Sequence, residues 1–233
     1  SGKHPLLLDS NIRDDNSILT VDLTNPDIYL DQKLVQSKDI LHIVRTLFLW
    51  RGAAYQRLRM QNHGEVPFDV RLSLSFACDF ADLFEVRGLH RKRRGKSSAE
   101  ICSDAEVALN YLGLDGNRRR TMIQFDPTPE RLSSNMAAYA FALQPNESRS
   151  IYLTAKCDHG AAEINPLPFR KGLRAAFNEQ RAASRGNATI VTSNQIFNEV
   201  VCRSMADLAM LTTATPQGPY PYAGIPWYST TFG

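Results

Sequence analysis

Three carboxylates lie within seven residues in the segment 79–88, which reads Asp-Phe-Ala-Asp-Leu-Phe-Glu-Val-Arg-Gly. Asp79, Asp82 and Glu85 could perform acid–base chemistry on a glycosidic bond, in which one carboxyl donates a proton and another acts in its ionised form. In an extended segment Asp79 and Glu85 share one face, whereas a helical turn brings Asp79 and Asp82 together. The sequence favours neither geometry.

A structural role is the simpler interpretation of this segment. Phe80 and Phe84 can enter a core, and Arg87 can neutralise Asp82 or Glu85 at the end of the preceding strand. We therefore expect a structural motif here and no catalytic residue. The histidines and cysteines are scattered along the chain without the spacing of metal ligands, so we predict neither a metal site nor a cofactor.

The elements that must position this segment are β-strands. The stretch from Val70 to Phe76 alternates apolar and polar side chains, as expected of a strand with one buried face. Roughly ten such runs, separated by turn residues and with no helix between them, predict a mainly β fold of antiparallel sheets packed as a sandwich. The other predicted strands are 6–8, 17–23, 40–50, 55–60, 105–112, 121–125, 138–143 and 150–156.

Helices are predicted after residue 160. Apolar residues recur at helical spacing from Phe169 to Ala183, and a second, wide apolar stripe runs from Ile196 to Leu211. The second helix is predicted to begin near Thr192, with a capping box between Thr192 and Gln195. A small helix packed on a sandwich needs a narrower apolar stripe than this one. We therefore expect the stripe to contact a further partner as well.

Composition and charge limit the class of protein. The chain has 233 residues and a net charge of +3, with no apolar run of about 18 residues that could span a membrane. No export signal opens the sequence, so we expect a cytoplasmic protein without a membrane partner. The basic stretch 87–96 could hold phosphates, but it lacks the interleaved aromatic residues that stack on bases, and we expect no nucleic-acid partner.

The run 215–232 combines four prolines with three tyrosines, a tryptophan and a phenylalanine. Proline fixes the backbone against helix, and aromatic residues of this number bring surface that a solvated tail does not need. We therefore predict a loop, neither a strand nor a disordered tail, that lines a pocket or an interface.

Two segments, 79–88 and 218–233, closely resemble signature sequences of the amylo-α-1,6-glucosidase family, the glycogen debranching enzymes and their relatives. Shorter matches at 21–27, 109–116 and 197–208 follow in the expected order. The resemblance implies a supersandwich-like β-sandwich that precedes an (α/α)6 catalytic barrel, with the catalytic carboxylates downstream of this chain. It thus implies a glycoside hydrolase of α-1,6-glucosidase type as the parent protein, and an inactive fragment here.

The resemblance also implies roles for particular residues and regions. In such enzymes the aromatic loop enters the mouth of the barrel, so Trp227, Tyr228 and Phe232 are expected to line the substrate pocket. The implied division of the chain is a sandwich at 1–160, a helical linker at 161–192, and the first helix and aromatic loop of the barrel at 193–233.

The implied function is that of a non-catalytic N-terminal domain, which braces the barrel and shapes the α-glucan cleft. Its partners would be the barrel and, through the intact enzyme, a glycogen-like α-glucan. A stripe left without its barrel favours self-association, so we also predict a homodimer of this chain. Two other classes stay open: a stand-alone carbohydrate-binding or scaffold sandwich, and an enzyme that uses the carboxylates of segment 79–88.

Overall fold

The computed structural model describes residues 3–158, 166–183 and 190–221. Within them the chain forms strands and one short helix up to residue 158, and two long helices followed by a two-stranded ribbon thereafter. The elements are β1 (Leu6–Ile12), β2 (Leu19–Thr24), β3 (Ile28–Leu30), β4 (Lys33–Gln36), β5 (Leu41–Trp50), β6 (Ala53–Asn62), β7 (Phe68–Ser75), α1 (Leu83–Val86), β8 (Lys96–Ser103), β9 (Glu106–Leu112), β10 (Arg118–Asp126), β11 (Arg131–Leu132), β12 (Met136–Leu143), β13 (Ser148–Asp158), α2 (Phe169–Ala183), α3 (Gln195–Leu211), β14 (Thr212–Thr215) and β15 (Gly218–Pro221).

Two antiparallel sheets form the body of the fold. Eight strands make the large sheet, in the order β1-β2-β5-β6-β13-β10-β9-β8, and three make the small sheet, in the order β11-β12-β7. Side chains from both sheets share one core cluster, which includes Met60 and Ile151 from the large sheet and Leu143 and Tyr139 from the small one. The prediction of a mainly β, antiparallel sandwich followed by helices is confirmed.

Helix α2 covers the opposite face of the large sheet. Phe169, at its first turn, packs against Phe48 and Tyr55, which are direct partners on β5 and β6. Gly172 permits the close approach, because a Cβ at this position would lie 3.3 Å from the ring of Tyr55. Strand β5 thus contributes to a cluster on each face of the sheet, with Phe48 under α2 and with Leu41 and Ile43 in the core shared by the two sheets. Among the described residues, no helix combines the length and apolar character that a bilayer span requires.

Strands β3, β4, β8, β11 and β14 were not predicted, and the sequence left a helical turn at α1 open as one of two geometries. All eight residues of β8, Lys96–Ser103, are exposed at the edge of the large sheet, so this strand has no alternation of apolar and polar residues to reveal it. The one-turn helix α1, Leu83–Val86, interrupts the strand series, which was expected to contain no helix.

The start of α3 differs from the prediction. The helix begins at Gln195, and the side chain of Asn194 is its N-cap, accepting a hydrogen bond from the backbone N–H of Phe197 at 3.1 Å. Thr192 lies two residues before the cap, where its hydroxyl donates to Asn198 Oδ1 at 3.0 Å. The predicted Thr192–Gln195 box is therefore wrong, because asparagine supplies the cap closer to the helix.

The prediction that the run 215–232 contains no strand is also wrong for the first part of that run. Gly218–Pro221 forms β15, which pairs with β14 across a two-residue turn. Pro219 and Pro221 are tolerated because a two-stranded ribbon leaves one side of each strand unpaired, where a missing N–H breaks no ladder bond.

Candidate functional site

The segment 79–88 folds around a reciprocal helix cap. The side chain of Asp82 accepts a hydrogen bond from the Glu85 backbone N–H at 2.8 Å, and Glu85 Oε2 accepts one from the Asp82 N–H at 3.2 Å. This capping box begins α1, so the carboxylates brought together are Asp82 and Glu85. Asp79 lies before the turn, and its Oδ1 accepts from the Ala81 N–H at 3.0 Å. The spacing Asp-x-x-Glu was a sequence signal for this arrangement.

Two arginines of the basic stretch 87–96 return to these carboxylates. Arg91 contacts Asp82 and lies 3.3 Å from Glu85 Oε2, while Arg94 Nε lies 3.1 Å from Glu85 Oε1. The reversal that allows this follows Gly88, whose φ of +93° lies in the left-handed region. The carboxylate of Glu85 thus contacts two guanidinium groups and a backbone N–H, an arrangement that holds the segment together.

The sequence had suggested Arg87 as the partner of Asp82 or Glu85. The structure places Arg87 directly after α1, where its backbone N–H bonds the carbonyl of Leu83 at 3.1 Å. Its pairing with either carboxylate stays a prediction, and Arg91 and Arg94 are the residues that sequence reasoning did not single out.

A cleft of about 540 Å³, hereafter the motif cleft, lies between this segment and the ends of β9, β10 and β13. Its walls carry charged, polar and aromatic side chains from segments far apart in sequence. The lining includes Phe80, Asp82, Arg91, Tyr111, Leu114, Asp115, Arg119, Arg120 and Asp158.

One wall of the motif cleft is held by aromatic stacking. The ring of Phe80 lies on that of Tyr111, with 5.3 Å between centroids and 13° between planes. Phe80 has a φ of +49°, a conformation that costs a bulky residue about 1–3 kcal/mol and persists only where its surroundings enforce it. Tyr111 is fixed in turn, because its hydroxyl accepts a hydrogen bond from Gly95 N–H at 2.9 Å.

Another part of the lining is held by a bidentate ion pair. Arg119 Nη2 lies 2.8 Å from Asp115 Oδ2, and its Nη1 lies 3.2 Å from Oδ1. Hydrogen bonds from Arg119, followed by those from the backbone and side chain of Asn117, hold the pKa of Asp115 well below its usual range. The same pair raises the pKa of Arg119.

Helix α3 presents a second surface. It is joined to the turn between β1 and β2 by polar contacts, in which Arg203 Nη1 donates to Asn16 Oδ1 at 3.0 Å and Asn16 Nδ2 donates to Asp207 Oδ1 at 2.5 Å. Its apolar residues remain outside: Ile196 is 73% exposed and Leu208 is 52% exposed. The other exposed apolar residues of the helix are Phe197, Val200 and Met210.

The other predictions concern the aromatic loop and metal binding. Trp227, Tyr228 and Phe232 lie outside the described residues, so their role as pocket-lining residues stays a prediction. The part of the chain that the structure describes contains no cluster of three or more His, Cys, Asp or Glu side chains suited to a metal. All four cysteines are free thiols, and three of them are exposed.

The architecture is that of a β-sandwich domain with helices appended after its last strand. A family model described as the N-terminal domain of some glycogen debranching enzymes matches residues 1–154. The chain belongs to this family of N-terminal domains, which confirms the family inferred from the sequence; segment 79–88 lies within the matched residues and segment 218–233 lies beyond them. No curated protein matches the chain.

Similar solved structures are distant. A protein described as a kojibiose phosphorylase, from human microbiome, is 10% identical with a TM-score of 0.47, and the match covers 86% of this chain and 24% of that one. Slr1438 from Synechocystis sp. PCC 6803 is 12% identical, with a TM-score of 0.39 and 66% of each chain covered. A galactose mutarotase related enzyme from Lactobacillus acidophilus is 6% identical, with a TM-score of 0.32, 70% of this chain and 74% of that one covered. The chain thus spans about a quarter of the first of these proteins.

Proposed function

We propose that this chain is the non-catalytic N-terminal domain of a glycogen-debranching type of glycoside hydrolase, in which it braces the catalytic domain and shapes one wall of the α-glucan cleft. Membership of the family supports the domain's place in such an enzyme. The observation that carries the bracing role is the exposed apolar face of α3, at Ile196, Val200 and Leu208.

The two long helices differ in what they cover. α2 buries Phe169 against the large sheet, whereas α3 contacts the β1–β2 turn through the polar residues Arg203 and Asp207. Ile196, Val200 and Leu208 follow the i, i+4 ridge of the helix, and ridges of this kind pack into the grooves of another helix. A helical catalytic domain would supply such grooves, which is why we infer it as the partner.

The test uses the intact parent enzyme. Leu208→Asp places a charge on the α3 face, and we expect it to lower both the melting temperature and the rate of hydrolysis of a branched α-glucan. The control is Leu49→Asp on β5, because Leu49 is an exposed apolar residue, at 73%, away from α3. Equal behaviour of the two variants would refute the bracing role.

Two related expectations concern the isolated chain. Light scattering should show a homodimer that Leu208→Asp converts to a monomer, since the same face would be covered by a second copy. If the wild-type chain is monomeric at high concentration, the dimer prediction is refuted. The bracing role in the parent enzyme is not affected by that result.

A further inference from the structure

We propose that the motif cleft binds a neutral oligosaccharide, namely a segment of an α-glucan chain. This inference rests on the proposed function, from which it takes the class of sugar. The site is geometric: a cleft of about 540 Å³ lies within the range of roughly 300 to 1,000 Å³ that small-ligand sites occupy.

The charges of the motif cleft are balanced. Three arginines and three aspartates line it: Arg91, Arg119, Arg120, Asp82, Asp115 and Asp158. Asp82 pairs with Arg91, and Asp115 pairs with Arg119. An anion would meet three carboxylates and a cation three guanidinium groups, so the wall favours neither. Sugar hydroxyls both donate and accept hydrogen bonds, and neighbouring hydroxyls can therefore use both members of an aspartate–arginine pair.

The guanidinium of Arg120 forms part of the cleft wall. Arg120 Nε is buried and makes no hydrogen bond to the part of the chain that the structure describes, although the Nη2 of the same side chain reaches Cys102 Sγ at 3.4 Å. Because this atom is shielded from solvent, Arg120 belongs to the packing of the cleft wall and offers the sugar no hydrogen bond through Nε.

The shape of the cleft is prepared before binding. Phe80 is held in its left-handed conformation by the stacked ring of Tyr111, and the hydroxyl of Tyr111 is fixed by Gly95. Apolar surface is also available, since Leu114 lies in the cleft lining and is exposed. The C–H face of a glucose ring can lie against such surface while its hydroxyls meet the charged pairs.

Isothermal titration calorimetry of the 233-residue chain with maltoheptaose tests the proposal. We expect a saturable signal with a Kd of roughly millimolar order. Arg119→Met should weaken binding at least about tenfold, because it removes charge-assisted donors. Arg51→Met is the matched control, because Arg51 also pairs with a carboxylate, Glu179, but lies at the α2 side of the sheet. This variant should bind maltoheptaose with the affinity of the wild type.

A second measurement needs no variant. Amide chemical shifts of the wild-type chain should move with maltoheptaose at residues 80–82 and 113–121 and saturate at the calorimetric Kd. The proposal is overturned if no shift saturates, if the shifts map to another surface, or if inorganic phosphate binds the cleft in place of the sugar. Arg119→Met should leave the α3-dependent stability of the parent enzyme unchanged, and Leu208→Asp should leave sugar binding unchanged, so the two proposals can fail separately.

Discussion

The ring of Phe169 on α2 stands edge-on to the ring of Phe48 on β5, with 5.2 Å between the centroids and 70° between the planes. Phe48 stacks on Tyr55 at 4.6 Å, so three rings form one cluster between helix and sheet. Edge-to-face and offset contacts are the geometries that aromatic quadrupoles prefer. This cluster fixes where α2 lies, and hence where the chain leaves the sandwich.

Phe169→Ala should lower the free energy of unfolding by about 3 kcal/mol, because the side chain is almost fully buried and its removal leaves a cavity. Urea unfolding followed by circular dichroism measures the change. Leu49→Ala, at an exposed position of β5, should change the free energy by less than about 0.5 kcal/mol. A loss for Phe169→Ala no larger than for this control would show that α2 is not seated on the sheet.

Asp82→Ala should destabilise the fold by about 1–2 kcal/mol, since it removes the N-cap of α1. Asp82→Asn retains an oxygen acceptor for the Glu85 N–H and should keep most of that stability. Asp69→Ala, an exposed position of β7, serves as the control in the same denaturation experiment. Equal losses in the alanine and asparagine variants would contradict the capping role.

The same carboxylates decide whether this chain is itself an enzyme. We expect Asp79→Asn, Asp82→Asn and Glu85→Gln to retain turnover in the parent enzyme, because the contacts of Asp82 and Glu85 hold the segment together. Hydrolysis of an α-1,6-branched dextrin is the assay. Loss of turnover with an unchanged melting temperature would revive the catalytic interpretation.

Asp115 should make the stability of the fold depend on acid pH. Its folded pKa is depressed, mainly by Arg119, so its contribution is present above the unfolded value of 3.8 and is lost as pH falls through the lower folded pKa. The stability difference between wild type and Asp115→Asn should therefore shrink below about pH 4. A carboxyl titration by NMR that places Asp115 at or above 3.8 would contradict this.

Tyr139 should make the stability of the fold depend on alkaline pH. Burial, with a smaller effect of the Asp126 charge, raises its pKa to about 12, and its hydroxyl donates to the carbonyl of Pro127 at 3.0 Å. Because the folded pKa is raised, the contribution of Tyr139 is complete below pH 10 and is lost as pH rises towards 12. Tyr139→Phe should remove this dependence.

Tyrosinate absorbance at 295 nm checks the prediction for Tyr139. The folded wild type and Tyr139→Phe should give the same titration below about pH 11, since the buried phenol contributes only above it. A phenol that titrates in the wild type near pH 10 and is missing from the variant would count against the raised pKa.

The strands were predictable where burial leaves a period in the sequence. Phe68–Ser75 alternates because one face of β7 enters the core, and Phe169 and Leu173 mark α2 because both contact the sheet. β8 could not be predicted, since an exposed edge strand has no apolar period. Strand β15 was missed for another reason, because its prolines indicated a loop.

The motif cleft was beyond sequence reasoning for a different reason. Asp82 was singled out, yet Tyr111 and Arg119 line the same cleft because β9 and β10 are adjacent in the large sheet. Pairings of this kind depend on the order of strands, which local patterns do not encode. The return of Arg91 and Arg94 to Glu85 likewise depends on a reversal after Gly88.

Strands β6 and β13 are bonded to a neighbour on each side, and β6 lies between the core and α2. Their amide protons should exchange with deuterium only when the whole domain unfolds, whereas those of the edge strands β1 and β8 should exchange through local opening. Amide exchange is therefore expected to be slow at the centre of the large sheet and fast at its edges. Local opening at the edges can therefore change the outer hydrogen bonds of the sheet while its centre stays closed.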